Sequence, residues 1–173
     1  MKNILIPTDF SVQSLQLVHE IVKKNPQQKV SIFLVHMIHI PGDATDLLFT
    51  KKHHLYAQIP YKFSQAVEML KNKYTSRIAW MGLEFYYGST AGVLNDIIES
   101  RNIQEVFVFN DHAYGMPLKQ SVNMINLLGK CTATVNRVQP KAKTGVPGEA
   151  NLFSSLFMEE QPIPQPKKTL QQV

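Results

Sequence analysis

The feature that most restricts the fold is an alternation. Short runs that are apolar at almost every position are separated by segments whose apolar residues recur every three or four positions. Residues 2–7 form the first run, rich in Ile and stopped by Pro7, and residues 30–40 (VSIFLVHMIHI) form the second, broken by Pro41-Gly42. A strand that is apolar on both of its faces is covered on both, as parallel strands in α/β proteins are. Between these two runs, Ser11 stands as an N-cap before Val12, Leu15, Val18, Ile21 and Val22 at helical spacing, and Asn25-Pro26 ends that helix. Phe63, Ala66, Val67, Leu70 and Tyr74 mark a second amphipathic helix, followed by a third strand at 78–87 closed by Gly88. Thr90 caps a helix carrying Val93, Leu94, Ile97 and Ile98, and residues 106–109 (VFVF) are a short fourth strand. Val122, Ile125 and Leu128 predict a last helix with Gly129 at its C-cap, ahead of a fifth strand at 132–138. Residues 43–60 read as irregular, with one helical turn near 47–49, and their pattern leaves open whether they form a lid. The whole predicts an α/β domain with a parallel sheet and helices on both faces.

A chain of 173 residues with 44% hydrophobic residues holds one domain and its core, not two α/β domains. The net charge of +5 comes from Lys pairs scattered along the chain (Lys23-Lys24, Lys51-Lys52, Lys167-Lys168) and from three arginines, Arg77, Arg101 and Arg137. No basic stripe or base-reading motif accompanies that excess, so no specific nucleic-acid partner is expected. A single cysteine, Cys131, precludes an intrachain disulfide and suits a reducing compartment as a small buried side chain. The first residues are too short an apolar run for a signal peptide, and the longest apolar stretch, 32–40, falls well below the ~20 residues of a membrane span. A cytoplasmic protein with no membrane partner is expected.

Composition shifts at Gln139. Five of the ten prolines (140, 147, 162, 164 and 166) lie beyond it, among Lys, Gln and Gly. Residues 139–173 are therefore expected to be a Pro-rich C-terminal extension, extended or partly disordered, appended to a domain of residues 1–138. Its one apolar island, Leu152 to Met158, has two readings: it docks on this protein or on a dimer mate, or it is a motif for an unknown protein partner.

In an open α/β sheet, ligands sit beyond the carboxyl ends of the strands where strand order reverses. The candidate segments are Thr8-Asp9-Phe10-Ser11, His36 to Gly42, and Asn110-Asp111-His112.

At these positions the chain resembles the universal stress protein family. The resemblance rests on Ile4-Leu5-Ile6-Pro7-Thr8-Asp9-Phe10-Ser11, on Leu34-Val35-His36-Met37, on Gly88-Ser89-Thr90-Ala91-Gly92-Val93-Leu94 running through to Val106-Phe107-Val108-Phe109, and on Cys131-Thr132-Ala133-Thr134-Val135. It covers residues 1 to about 138 and implies a Rossmann-like, adenine-nucleotide alpha-hydrolase-type fold with a five-stranded sheet of order 3-2-1-4-5. It also implies a homodimer through the fifth strand (Thr132, Thr134, Val135, Asn136, Val138) and a role in the stress response. An exposed sheet edge there would invite such pairing on physical grounds as well.

Family members that bind ATP carry Gly-x2-Gly-x9-Gly-Ser/Thr after strand four, where glycines let backbone N–H groups reach phosphates at a helix N-terminus. Here Asn110 and Ala113 stand at the first two glycine positions, Gln120 precedes the terminal hydroxyl residue Ser121, and Ser121 follows Asn110 by 11 positions, three short of the pattern. The resemblance thus implies a nucleotide site made of Pro7, Thr8, Asp9, Met37, Asn110, Ser121 and Val122, with a degenerate glycine motif. Asp9 has a second reading, as a carboxylate facing the first N–H groups of helix one. The expectation is a non-catalytic protein without a cofactor, acting through dimerisation and protein partners. The alternative is an ATP or AMP switch, or slow ATPase with Mg, using Asp9 and the N-terminus of a helix starting near Ser121.

Other chemistries lack their motifs. There is no GxxxxGK[ST], no GxGxxG after strand one, no Ser-rich PP-loop, no HIGH sequence and no GxSxG. His36 and His39 have odd spacing, which puts them on opposite faces of a regular strand, and they meet His53-His54 only if the intervening loop folds back. No metal site and no catalytic residue are expected; Asp111-His112 lies at the right end of the sheet but has no nucleophile beside it.

Overall fold

The computed structural model describes residues 1–40, 42, 52–111 and 113–140. Five strands, β1 (Lys2–Pro7), β2 (Val30–Ile38), β3 (Ile78–Tyr87), β4 (Glu105–Phe109) and β5 (Thr134–Val138), form one parallel sheet in the order β3-β2-β1-β4-β5. Leu5 sits at the centre, opposite Phe33 of β2 and Val106 of β4.

Alternation along β1 divides the interior in two. Ile4 and Ile6 enter one core with Val18 and Ile21 of α1 (Leu17–Lys24) and with Phe63 and Leu70 of α3 (Tyr61–Lys73). Leu5 enters the other, with Val35, Met37, and Leu94 and Ile97 of α4 (Ala91–Ser100). Each of these side chains is at most 3% exposed, and burial of one aliphatic side chain contributes roughly 1.5–3 kcal/mol. The unbroken apolar runs in the inner strands thus supply both layers at once, and Thr90 caps α4 by accepting the Val93 N–H.

Several expectations are corrected. The first helix opens as a 3-10 turn, Ser14–Gln16, before α1, although Ser11 Oγ does accept the Ser14 N–H at 3.2 Å. β2 stops at Ile38 because the His39 N–H turns to the Gln120 carbonyl at 2.7 Å. Within the stretch read as irregular, residues Lys52–Ala57 form a short helix, α2, anchored by buried Leu55; the turn expected near 47–49 lies outside the described residues. The last helix is not α-helical. Met124–Lys130 is a seven-residue 3-10 run whose entry is capped by Asn123 Oδ1 on the Ile125 N–H, and Gly129 lies inside it rather than at its C-cap. The reason is in the spacing: Val122, Ile125 and Leu128 recur every three residues, the 3-10 period, and not every 3.6. The run begins three residues beyond Ser121, which itself bridges to Ile38. Thr132 also falls outside β5; its N–H is held by Asn95 Oδ1 at 3.0 Å. The island at 152–158 lies outside the described residues.

Candidate functional site

Strand order reverses between β1 and β4, so the crevice beyond their carboxyl ends is the place where the fold would receive a ligand. The chain leaves β1 through a tight turn. Phe10 adopts φ 60, in the left-handed region that a bulky residue seldom occupies, at a cost on the order of 1–2 kcal/mol. Neighbouring contacts hold it there. The Phe10 N–H donates to Thr8 Oγ1 at 3.1 Å, and its ring lies 4.6 Å from His36, 5.8 Å from Phe63 and 5.7 Å from Phe85, centroid to centroid. The turn aims the Thr8 carbonyl and the Asp9 carboxylate into the crevice.

This chain's own residues bond across the crevice. After β4 the backbone crosses back over β1 and β2, and residues 114–121 settle on the strand ends. Gly115 donates its N–H to Asp9 Oδ2 at 2.8 Å, while Asp9 Oδ1 accepts the Ser11 N–H at 3.1 Å. The Tyr114 hydroxyl donates to the Thr8 carbonyl at 2.7 Å. Leu118 is buried, and its N–H donates to Ser121 Oγ at 2.9 Å. The fit at Gly115 is close, since a Cβ there would stand 3.2 Å from Asp9 Oδ2.

His36, with no exposed surface, joins the two sides. Its Nδ1 lies 2.6 Å from the Thr8 carbonyl, which can only accept, so Nδ1 carries the proton. Nε2 then accepts from Ser121 Oγ at 3.0 Å. Burial holds the imidazole below its ordinary pKa, against the smaller opposing pulls of the Thr8 carbonyl and the Asp9 charge. The neutral ring is thus the form the surroundings favour. Burial, with Asp9 adding to it, pushes the Tyr114 phenol far upward and keeps it a neutral donor.

Of the residues expected at the site, Thr8, Asp9 and Ser121 converge here. Pro7 ends β1 opposite Val35, and Met37, buried in the second core, accepts the Val122 N–H at 2.9 Å through its carbonyl. Asn110 does not join them: it is exposed, and its N–H donates to the Val138 carbonyl at 3.0 Å. Gly115 does not restore the spacing of the glycine pattern and Tyr114 has no place in it, and the part played by His36 depends on a fold-back that local sequence does not encode. His39 and His54 are exposed and stand apart from it. Among the described residues no group of three or more His, Cys, Asp or Glu is placed to hold a metal ion. Cys131 is free and half-buried, and burial pushes its thiol upward.

No protein-family model and no curated protein matches the chain. Solved structures do. The hypothetical protein MJ0577 is 16% identical with a TM-score of 0.53, over 82% of this chain and 98% of its own. The hypothetical protein PH0823 is 17% identical with a TM-score of 0.50, over 83% and 99%. A universal stress protein family member from Burkholderia pseudomallei is 13% identical with a TM-score of 0.49, over 80% and 96%. The chain shares the Rossmann-like α/β fold of the first two, with its five parallel strands in the order β3-β2-β1-β4-β5. No helix among the described residues is long and apolar enough to cross a membrane.

Proposed function

We propose that this chain acts as a universal stress protein-like, non-catalytic protein of the cytoplasm, working through self-association and protein partners and not through ATP held by a glycine loop. One observation carries the reading. The crevice where the fold would seat a nucleotide is taken by the chain's own segment 114–121, and the Asp9 carboxylate is engaged by the Gly115 and Ser11 N–H groups. The three missing glycines and the shortened loop point the same way. β5, which pairs only with β4 among the described residues, offers Thr134, Val135, Asn136 and Val138 as the edge for a homodimer. The domain boundary near residue 138 belongs to the same reading.

The test is thermal melting of the purified protein with millimolar ATP and Mg, and with AMP. A ligand at 100 times its dissociation constant adds about 2.7 kcal/mol of stability, several degrees for a domain of this size. The reading predicts no shift. An upward shift that Asp9→Ala abolishes would overturn it and make the chain a nucleotide sensor.

A further inference from the structure

The segment that crosses back over the strand ends is held unequally along its length. Gln120 to Val122 is strapped to the end of β2 by backbone bonds, the His39 N–H to the Gln120 carbonyl at 2.7 Å and the Val122 N–H to the Met37 carbonyl at 2.9 Å. Residues 114–119 have no such strap among the described residues. They rest on the Tyr114 hydroxyl, the Gly115 N–H and one buried side chain, Leu118, while Met116, Pro117 and Lys119 are exposed. A stretch with so few buried contacts opens at a lower free energy than the sheet beneath it.

Ser121 joins the two parts. Its N–H donates to the Leu118 carbonyl at 3.0 Å and its Oγ accepts the Leu118 N–H at 2.9 Å, closing the turn 118–121. The same hydroxyl donates to His36 Nε2, so that nitrogen is aimed at the turn, while the ring's flanks meet Phe10 and Phe85 of the first core. We propose that residues 114–119 are a latch hinged on the Gln120–Val122 strap, and that a proton bound at His36 Nε2 releases it while the sheet stays folded. A proton from solvent turns Nε2 from an acceptor into a donor. The Ser121 hydroxyl must then turn its own hydrogen out of that bond, and the turn resting on it loses its geometry. The charged ring gains water only by lifting the latch, because its flanks are core. Of the groups that face the ring, Asp9 on the turn after β1 favours the charge, and burial outweighs it. Tyr114 on the latch stays neutral. β3 presents Phe85, with Tyr56 of α2 behind it at 5.0 Å between centroids, and Val35 and Met37 of β2 belong to the other core. The inference goes beyond the proposed function and rests on the fold-back itself, so melting with ATP does not decide it.

Amide exchange of the 15N-labelled full chain, followed by NMR from pH 7.5 to 5 and corrected for intrinsic rates, tests this. An open latch leaves the imidazole at its ordinary value of about 6.5. Protection of the Gly115 and Leu118 amides should therefore fall below about pH 6.5, by up to about tenfold per pH unit for one proton, and level off where the His36 ring resonances titrate. The Ile125 amide, held by Asn123 Oδ1 on the side of the second core, should not follow. His36→Gln should keep protection at Gly115 and Leu118 level across the range. If that variant does not fold, the ring titration in the natural sequence carries the assignment. Four results would overturn the proposal: the ring titrating with no change at Gly115 and Leu118, a fall that Ile125 shares, the same fall in His36→Gln, or Gly115 and Leu118 amides as protected as those of β1 at every pH.

Discussion

Acid should loosen this protein through His36. The folded environment holds the imidazole below the ordinary value of 6.5, so the unfolded chain takes up the proton first as the pH falls. The stability that His36 contributes is therefore complete above about pH 6.5 and is lost as the pH drops from there toward the folded-state pKa. Within that window one extra proton on the unfolded chain costs up to about 1.4 kcal/mol per pH unit. The structure explains the resistance to protonation. Nδ1–H is committed to the Thr8 carbonyl, and a proton on Nε2 would displace the Ser121 hydroxyl from its acceptor. Ser121 Oγ would then receive both the imidazolium and the Leu118 N–H, with its own hydrogen left to find another acceptor in a buried space. Of the ionisable groups facing the ring, Asp9 favours the charge and Tyr114 stays neutral; Phe10 and Phe85 offer it nothing polar. The measurement is urea unfolding at pH 7.5, 6.5 and 5.5 for the natural sequence and for His36→Gln, whose amide offers one donor and one acceptor in place of the ring. The natural protein should lose more stability between pH 6.5 and 5.5 than the variant, by at most roughly 1 kcal/mol, the limit set by one proton. Parallel pH dependences would refute the coupling between His36 and folding.

Three further outcomes are expected. Asp9→Ala strands the Gly115 and Ser11 N–H groups, and loss of hydrogen bonds to a charged acceptor should cost about 1.5–3 kcal/mol and raise amide exchange selectively in residues 113–118. Gly82→Ala puts a Cβ 2.6 Å from Trp80 Cζ2, so the only tryptophan must leave the Phe33 ring, 4.7 Å away between centroids, and its fluorescence maximum should move; an unchanged spectrum would count against this packing. Thr90→Ala removes the acceptor for the Val93 N–H and should lower the melting stability by about 1 kcal/mol, with Thr90→Ser largely restoring it.

The strands are legible because nearly all of their buried residues are apolar, His36 and Ser31 in β2 being the exceptions. Residues 2–7 and 78–87 are placed by composition alone, and the reading of β2 runs too long only where a bond to the distant Gln120 carbonyl of the same chain diverts His39. α2 was missed because it is short and its one buried anchor, Leu55, makes no periodic signal. The Val122, Ile125 and Leu128 series was visible as a pattern, but a three-residue repeat and a helical repeat differ little over seven positions. At the site, Asp9 and Ser121 could be placed by resemblance. Their link through His36 could not, because it joins residues 28 and 85 positions apart across a fold-back. Tyr114 and Gly115 act through a hydroxyl and a backbone N–H, which carry no motif.

The self-filled crevice has a consequence for anything that would enter it. Segment 114–121 is a competitor that cannot diffuse away, tethered to β4 by a handful of residues, and a short tether corresponds to an effective concentration on the order of millimolar. A newcomer binds only the fraction of molecules in which that segment has lifted, and its apparent dissociation constant rises by the reciprocal of that fraction. Were one molecule in about a hundred open, a micromolar ligand would present itself as a ~100 micromolar one. Affinity at this end of the sheet is therefore set as much by what holds Tyr114, Gly115 and Ser121 in place as by the groups lying beneath them.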